Sequence, residues 1–320
     1  MKKINKLKMI KGDASFRKFY RNSVNKSIFV VSKKEKSKNL LVYDAINKIL
    51  IKNNILAPKL LNENYLNKYI EIEDFGDQTF FEILKNKKNN KYVNFKKIVK
   101  LLNKLQSIKD RKILNFKKKI YRIQEYKKKI LFNEARLFCD WYVPKKLSKT
   151  RAIKFNKKFK YEIKYLLSKL NCKNDTFVHR DFHVSNLMHY KKTIALIDSQ
   201  DALIGNKAYD LASLIDDVRF RSSKKTKELV YNQYMKLNKK NINYNNFRND
   251  FEILSVIRNL KIIGIFSRLA IRDKKIKYLR LIPYAWELID LRIKNNMIFR
   301  DLKKYLDFYY PTKIRKKNAN

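Results

Sequence analysis

The chain has 320 residues, with 77 Lys and Arg against 29 Asp and Glu, which gives a formal net charge of +48 at pH 7. Hydrophobic residues make up 45% and aromatic residues 13%, enough for a buried core, so the composition excludes a disordered chain. Four Gly and four Pro exclude collagen-like and linker-like chains. With only Cys139 and Cys172 there is no disulfide framework, and we expect a reducing, cytoplasmic location.

The positive charge is spread along the whole chain. Lysines run from Lys2 to Lys317 beside abundant Asn and Ile, a pattern typical of compositional bias rather than of a nucleic-acid-binding patch. We therefore predict no specific nucleic-acid partner, and a basic nucleic-acid-binding protein is the alternative from another functional class. The sequence shows no export signal and no apolar run of the roughly 20 residues that span a bilayer, so we also expect no membrane association.

The first part of the chain has the pattern of a small strand-rich lobe with one helix, which we place at 1–75. Residues 12–32 are predicted to form an extended hairpin, because aromatic and β-branched residues there are bounded by polar pairs. Apolar residues spaced by three and four predict a helix from 40 to 50. Two further short strands are predicted at 58–61 and 69–72.

The pattern becomes helical after Gly76, with lysines opposite the apolar face, which predicts a mainly helical lobe over 76–310. Strands are predicted only at 176–178 and 193–197, on either side of a polar loop. Later helices are predicted at 208–219, 251–271 and 283–294. We expect the tail, 311–320, to be frayed.

The densest polar run is the loop from His179 to Asn186, followed by a strand that ends at Asp198. Asp181 and Asn186 lie five positions apart on this loop, so their oxygens and those of Asp198 can converge on one point. Phosphoryl transfer needs one carboxylate for the proton of the attacking hydroxyl, and an amide and a second carboxylate to hold Mg²⁺ on the nucleotide. The HxDxxxxN pattern with a later Asp is typical of a kinase catalytic loop.

Further blocks occur in a fixed order along the chain, at 12–17, 72–79, 179–188, 197–214 and 258–266. Together they resemble the aminoglycoside phosphotransferase-like kinases, and within them the bacterial kinases that phosphorylate the anomeric hydroxyl of N-acetylmuramate and N-acetylglucosamine. The resemblance covers residues 12–294 and implies an α+β, two-lobed protein-kinase-like fold with a small β-rich N-terminal lobe and a larger helical C-terminal lobe. It implies ATP and Mg²⁺ as cofactors, an amino sugar of peptidoglycan recycling as substrate, and a monomer or weak dimer.

The resemblance also implies roles for individual residues of the catalytic loop and the nucleotide site. Asp181 corresponds to the catalytic base, and Asn186 and Asp198 correspond to the metal ligands. Structural support of the loop is implied for His179, Arg180 and Asp210. Nucleotide contacts are implied for the phosphate-covering loop, with Gly12, Ser15, Phe16 and Arg17, and for the hinge, with Ile72, Glu73 and Asp74.

Two positions depart from the pattern of related kinases. Protein kinases carry a phosphate-gripping Lys on the third strand, whereas this chain has Val31 there; Lys33 or Lys34 is a candidate substitute, and a pseudokinase is the alternative. Ser199 stands where the subgroup has an aromatic residue after the metal-binding Asp, and we expect it to change packing rather than chemistry.

The acceptor is less well determined by the sequence. The segment with Glu134, Asp140 and Trp141 resembles a subgroup segment that faces the acceptor. Acidic groups and an aromatic plane suit the hydroxyls and the ring face of a sugar. The same segment also has the spacing of a helix that faces the core. An aminoglycoside, choline or another small alcohol is the alternative acceptor. The three histidines, all between 179 and 189, raise a zinc site as a further alternative, but His179 and His183 would need a helix to share one face, and a strand end is predicted there.

Overall fold

The computed structural model describes residues 7–10, 17–86, 88–240, 242–294 and 296–316. Within this part of the chain there are two compact units. Unit 1 contains Met1–Gln124 and Thr176–Ile204, and unit 2 contains Glu125–Asp175 and Gly205–Asn320. No helix among the described residues has both the length and the apolar character needed to cross a membrane.

Unit 1 begins with a five-stranded antiparallel sheet and one helix. These elements are β1 (Leu7–Ile10), β2 (Lys18–Asn22), β3 (Ser27–Val31), α1 (Lys38–Lys52), β4 (Leu60–Asn64) and β5 (Tyr69–Glu73). The strand order is β1-β2-β3-β5-β4, so β3 lies in the centre and pairs Val30 with Ile70. Leu40 and Tyr43 of α1 pack against Val30, Ile70 and Ile72 in one core. The predicted hairpin, helix and two strands are confirmed, and β1 was not predicted.

The rest of unit 1 joins this sheet to the strands around the polar loop. It contains α2 (Phe80–Lys85), α3 (Lys91–Gln106), β6 (Lys112–Leu114), β7 (Ile120–Arg122), β8 (Asn174–Val178), β9 (Leu187–Tyr190), β10 (Thr193–Leu196) and β11 (Leu203–Asn206). Two of these strands are shared between the units, since β8 begins and β11 ends in unit 2. The antiparallel pair β9–β10 places the loop before it and the segment after it at the same end of a short hairpin.

Unit 2 is formed mainly by helices. They are α4 (Lys128–Leu137), α5 (Val143–Lys146), α6 (Lys149–Ser168), α7 (Ala208–Ile215), α8 (Lys224–Asn238), α9 (Tyr244–Arg272), α10 (Ile282–Ile293), α11 (Arg300–Tyr309) and α12 (Thr312–Lys316). Helix α9 is 29 residues long and buried on most of its surface, since α4, α7 and α10 all pack against it. At Gly264 a Cβ atom would lie 2.3 Å from the Leu137 carbonyl carbon, so only glycine allows this approach.

Two predicted boundaries of unit 2 are wrong. The helix predicted at 208–219 ends at Ile215, because the buried Asp216 leaves the helix to pair with Lys227 and Arg292. The tail expected to fray forms α12 as far as Lys316, because the buried Arg315 pairs with Asp290 and Asp307. Residues 317–320 lie outside the described residues.

Candidate active site

The predicted catalytic loop connects β8 to β9 in unit 1. Its first residue, His179, is fully buried, and its Nε2 donates to the Ile197 carbonyl 3.2 Å away. Arg180 has a positive φ of 73° and donates from Nη1 to the Asp201 carbonyl. A non-glycine residue in the left-handed region is uncommon and is enriched at functional sites. Both residues therefore fasten the start of the loop to the segment that follows β10.

Asp181 and Asn186 are joined through their main and side chains. The Asn186 Nδ2 donates to the Asp181 carbonyl oxygen at 3.0 Å, and the His183 amide donates to the same oxygen at 3.0 Å. The Ile197 amide donates to the Asn186 carbonyl at 3.1 Å, which holds Asn186 beside the residue that precedes Asp198.

Asp198 follows β10 with a positive φ of 62°, so its backbone also occupies the left-handed region. Desolvation raises the pKa of its carboxyl, although 38% of the side chain remains accessible, and the nearby Asp181 and Asp201 carboxylates raise the pKa further. The positive charge of Arg17 lowers the pKa of Asp198 and so opposes these effects. The sequence-predicted base and metal ligands therefore meet in unit 1, at a point with excess negative charge.

Arg17 is the basic residue that balances part of this charge. Its Nη2 donates to Asp198 Oδ1 at 2.9 Å and its Nη1 donates to Asn39 Oδ1 of α1 at 3.2 Å. The guanidinium also lies 5.5 Å from the centre of the Tyr43 ring, a cation–π distance. With a side-chain exposure of 4%, Arg17 is a fixed part of the site.

Ser199 connects the segment after Asp198 to α1. Its Oγ donates to the Asn47 Oδ1 at 2.6 Å, and the Asn47 Nδ2 donates to the Pro58 carbonyl at 2.9 Å. These groups are buried, so the small hydroxyl replaces aromatic packing by a hydrogen bond that the sequence did not predict.

Burial lowers the pKa of His179 to about 4, against an opposing effect of the neighbouring Asp181. The folded state keeps the imidazole neutral, whereas the unfolded chain takes up a proton once the pH falls below about 6.5. The stabilising contribution is therefore complete above pH 6.5 and is lost as the pH falls towards 4.

We predict that this titration is visible in the stability of the protein. Between pH 7 and pH 4 the wild type should lose about 3 kcal/mol more free energy of unfolding than a His179→Asn variant. Urea unfolding of both proteins across this range measures the difference. Parallel curves for the two proteins would show that His179 is not held neutral by the fold.

The predicted hinge lies at the end of β5. Ile72 is buried within the sheet, and Glu73, the last residue of β5, pairs with Ser27, the first residue of β3. The Asp74 carboxylate pairs with Arg21 and accepts a hydrogen bond from the Gly76 amide at 2.8 Å, where Gly76 has a φ of 80°. The Asp74 side chain thus shapes the turn after the hinge, and any nucleotide contact made by this residue is left to its backbone.

The remaining predicted residues lie in unit 2 or outside the described part of the chain. Asp210 is fully buried in the first turn of α7. Glu134 pairs with Lys261 at 2.9 Å and accepts from the Tyr126 hydroxyl, and Asp140 is 43% exposed beside Arg136. Trp141, which is partly buried, belongs to a π-helical turn. Gly12, Ser15 and Phe16 lie outside the described residues.

The structure also bears on the alternative of a zinc site and on the two candidate lysines, Lys33 and Lys34. Among the described residues, no group of three or more His, Cys, Asp or Glu side chains is arranged to hold a metal ion. Val31 ends β3, and Lys33 and Lys34 are exposed beyond it. The buried Arg17, which the sequence assigned to the phosphate-covering loop, is the basic group found beside Asp198.

Comparison with known proteins gives a consistent result. Residues 6–234 match the model of the phosphotransferase enzyme family, APH. An N-acetylmuramate/N-acetylglucosamine kinase of Neisseria meningitidis serogroup B is 28% identical over 279 residues, which cover 85% of this chain and 80% of that protein. A Plasmodium vivax ethanolamine kinase superimposes with a TM-score of 0.60 at 16% identity, covering 92% of this chain and 83% of its own. The ADP-bound aminoglycoside phosphotransferase APH(2'')-Ib has the same TM-score and identity, covering 90% and 93%.

Proposed function

Since this chain belongs to the phosphotransferase enzyme family and is a kinase, we propose that it transfers the γ-phosphoryl group of ATP to the anomeric hydroxyl of N-acetylmuramate or N-acetylglucosamine. The observation that carries the proposal is the grouping of Asp181, Asn186 and Asp198 in unit 1, where Asn186 is hydrogen-bonded to Asp181 and the charge of Asp181 acts on the Asp198 carboxyl. The similarity to kinases named for these sugars supports the acceptor, and a cytoplasmic role in peptidoglycan recycling would follow from it.

In this proposal Asp181 is the catalytic base. Its carboxylate accepts the proton of the anomeric hydroxyl while the sugar oxygen bonds to the γ-phosphorus, and the bond from that phosphorus to the bridging oxygen of ADP breaks. The products are a sugar 1-phosphate and ADP, and the proton on Asp181 then leaves to solvent. The hydrogen bonds from Asn186 and His183 to the Asp181 carbonyl fix the backbone that carries this carboxylate.

Asn186 and Asp198 fit a magnesium ion by their donor chemistry. Magnesium prefers oxygen ligands and is usually held by one or two carboxylates together with substrate phosphates. The Asn186 Oδ1 and the Asp198 carboxylate provide such oxygens, at a point where burial first and neighbouring carboxylates second raise the pKa of Asp198. When bound, the ion would neutralise charge on the nucleotide phosphates.

We assign to Arg17 the role that the strand lysine has in protein kinases. That lysine contacts the α- and β-phosphates and pairs with the helix that follows its strand. Arg17 contacts the corresponding helix here, through Asn39 and Tyr43 of α1, and it also reaches Asp198. A guanidinium with two donors on different partners can keep its contact to α1 while it turns a second donor towards a phosphate.

Replacing Arg17 by methionine is expected to lower kcat/KM for ATP by about 10- to 100-fold, because hydrogen bonds to charged groups contribute about 1.5–3 kcal/mol each. The matched control is a Lys33→Met, Lys34→Met double variant, which should stay within about twofold of the wild type because both side chains are exposed. Steady-state kinetics at saturating acceptor measure both. A large loss in the lysine variant with normal kinetics in Arg17→Met would reverse the assignment.

The proposed function is tested by ATP consumption in the presence of Mg²⁺ with a panel of acceptors. We expect turnover with N-acetylmuramate and N-acetylglucosamine, and none above background with glucose, kanamycin, choline or ethanolamine. Phosphorus NMR of the product should show an anomeric phosphate. Turnover with kanamycin or choline alone would move the protein to another acceptor class, and binding of Mg·ATP without turnover of any acceptor would favour a pseudokinase.

A further inference from the structure

A cavity of unit 1 lies beside α3. Its volume is about 640 Å³, within the range of roughly 300–1,000 Å³ that is typical of small-molecule sites. Helix α3 forms one wall, and the segment after α1, helix α2 and the turn of the β9–β10 hairpin form the others. All of the lining residues belong to unit 1. We call this space the α3 cavity.

The α3 cavity and the predicted hinge lie on opposite faces of the β9–β10 hairpin. His189 and Ile194 are directly opposed in the hairpin, and both line the cavity. The next pair, Met188 and Ala195, points to the other face because successive strand residues alternate, and it packs against Phe75, which follows the hinge. The catalytic loop is at the opposite end of the hairpin from the turn that borders the cavity. The α3 cavity is therefore separate from the proposed catalytic site.

The walls of the α3 cavity are tied to one another by hydrogen bonds. The His189 amide donates to the Gln78 carbonyl at 2.8 Å, and the His189 Nδ1 donates to Gln78 Oε1, also at 2.8 Å. On the other side, the Lys104 Nζ donates to the Asn54 carbonyl at 2.6 Å, which ties α3 to the segment after α1. These contacts hold the cavity open without a ligand, as is usual for small-molecule sites.

The charge at the α3 cavity is positive. Four lysines border it, and the lining contains no Asp and no Glu among the described residues. Lys97, Lys100 and Lys104 follow one another at spacings of three and four, so they share one face of α3 and repel one another. Over the part of the chain that the structure describes, no carboxylate pairs with these three or with Lys192, whereas the exposed Lys52 of α1 has such a partner. An anionic ligand would offset this repulsion.

The turn that carries Lys192 has an unusual sequence for its geometry. Lys191 and Lys192 have φ angles of 47° and 63°, so both central residues of this two-residue turn are in the left-handed region. Such turns strongly prefer Asn and Gly, because most other side chains are strained there. Lys191 lies 5.2 Å from the centre of the Tyr190 ring, whereas Lys192 borders the α3 cavity. The two lysines therefore share a backbone conformation but have different surroundings.

The uncharged lining of the α3 cavity suits a flat ring with polar groups. Leu56, Ile83 and Leu101 border the cavity and are only partly buried, so they leave apolar surface there. The Asn89 and Asn94 Nδ2 atoms both donate to main-chain carbonyls, which leaves their Oδ1 atoms as acceptors for a ligand. A nucleobase and its ribose supply a flat face together with N–H and O–H donors.

We propose that the α3 cavity binds a nucleoside diphosphate, at a site additional to the catalytic one. Lys97 and Lys100 are about 4.5 Å apart along the helix axis, so their long side chains can both reach a diphosphate, with Lys192 approaching from the hairpin turn. The base lies against Leu101 and Ile83. Because the lining has no carboxylate with which to hold a metal ion, binding here does not require Mg²⁺.

Calorimetric titration with ADP in the presence of Mg²⁺ counts the sites. The wild type should bind two equivalents, and a Lys97→Gln, Lys100→Gln double variant should weaken one of the two sites by at least about 10-fold. The matched control is a Lys91→Gln, Lys96→Gln double variant, which removes two exposed lysines of the same helix that do not border the cavity. It should bind as the wild type does. Equal loss in both double variants would overturn the proposal, because it would indicate a general effect of charge.

The hairpin turn supplies a second test. Lys192→Asn should weaken the additional site about 3- to 10-fold, and Lys191→Asn should change it less than about twofold, although asparagine suits the backbone equally well at both positions. Removal of Mg²⁺ with EDTA should leave the affinity of this site within about threefold. Pyrophosphate should bind it at least about 10-fold more weakly than ADP. Equal affinity for the two ligands would overturn the assignment of a nucleoside.

Failure of the proposed function gives a different result from failure of this inference. A single ADP site in the wild type that is lost in the Lys97→Gln, Lys100→Gln variant would retain the α3 cavity and contradict the catalytic nucleotide site. A single site that persists in that variant and is weakened by Asp198→Asn would retain the kinase and overturn the inference. Binding of an RNA oligonucleotide through Lys97 and Lys100 that ADP does not displace would also overturn it.

Discussion

Asp181→Asn is expected to lower kcat by about 10²- to 10⁴-fold, the usual contribution of a positioned general base. Asparagine has nearly the same shape, so the hydrogen bonds from Asn186 and His183 to the residue 181 carbonyl should persist. The amide cannot accept the proton of the acceptor hydroxyl. The affinity for Mg·ATP should therefore stay within about threefold of the wild type, and calorimetric titration together with initial rates measures the two effects separately.

The matched control for this variant is Asp201→Asn. Asp201 is exposed, lies on the same segment and raises the pKa of Asp198, so it carries a similar charge to the same region. Its replacement should change kcat less than about threefold. If Asp181→Asn kept normal turnover, the base would have to be another group, and a loss shared equally by both variants would indicate a general electrostatic effect.

The sequence predicted those parts of the fold that are encoded by local periodicity. Helix α1 and strands β2 to β5 alternate or repeat apolar residues clearly enough to be located within a few positions. Strands β1, β6, β7, β9 and β11 were missed, and strands after Gly76 were predicted only at 176–178 and 193–197, because strands of three or four residues do not establish an alternating pattern. The kinase-like fold and the family were predicted from the blocks of motif residues, and both are confirmed.

The parts that could not be predicted depend on contacts between distant positions. Arg17 was assigned to the nucleotide loop through a motif block, but its partner Asp198 lies 181 positions away, so the pairing of the two residues is not visible in the local sequence. The sequence instead indicated Lys33 and Lys34, which are close to Val31 in the chain and exposed in the fold.

The excess of basic residues does not identify a function by itself. A chain with a net charge of +48 attracts polyanions over much of its surface, so weak retention of RNA or DNA is expected whether or not it is useful. Such binding should weaken steeply as salt is raised. The carboxylates at the end of β10 would be repelled by nucleic acid, and a test that distinguishes the two functional classes should therefore remove one of these carboxylates.

Asp198→Asn is expected to abolish the magnesium dependence of ATP binding and to lower kcat/KM by about 10²- to 10³-fold, comparable to the loss of one preorganised electrostatic group. The carboxylate is proposed to hold Mg²⁺ together with Asn186, and the amide that replaces it is neutral. Removing the carboxylate also releases Arg17 from its 2.9 Å contact with residue 198. If Arg17 has its proposed role, the released guanidinium should still reach the phosphates, and part of the ATP affinity without metal should be kept.

Titration of ATP with and without Mg²⁺ measures this effect directly. In the wild type, Mg²⁺ should tighten ATP binding by at least about 10-fold, and in Asp198→Asn the two titrations should coincide, while Asp201→Asn keeps the difference. Retention of RNA at low salt should be equal in all three proteins. A variant that keeps the full magnesium effect would exclude Asp198 as the metal ligand, because the only other predicted ligand, Asn186, carries no charge with which to hold a divalent ion. In that outcome the raised pKa of Asp198 would reflect its burial and its neighbours alone, and its pairing with Arg17 would be a structural contact.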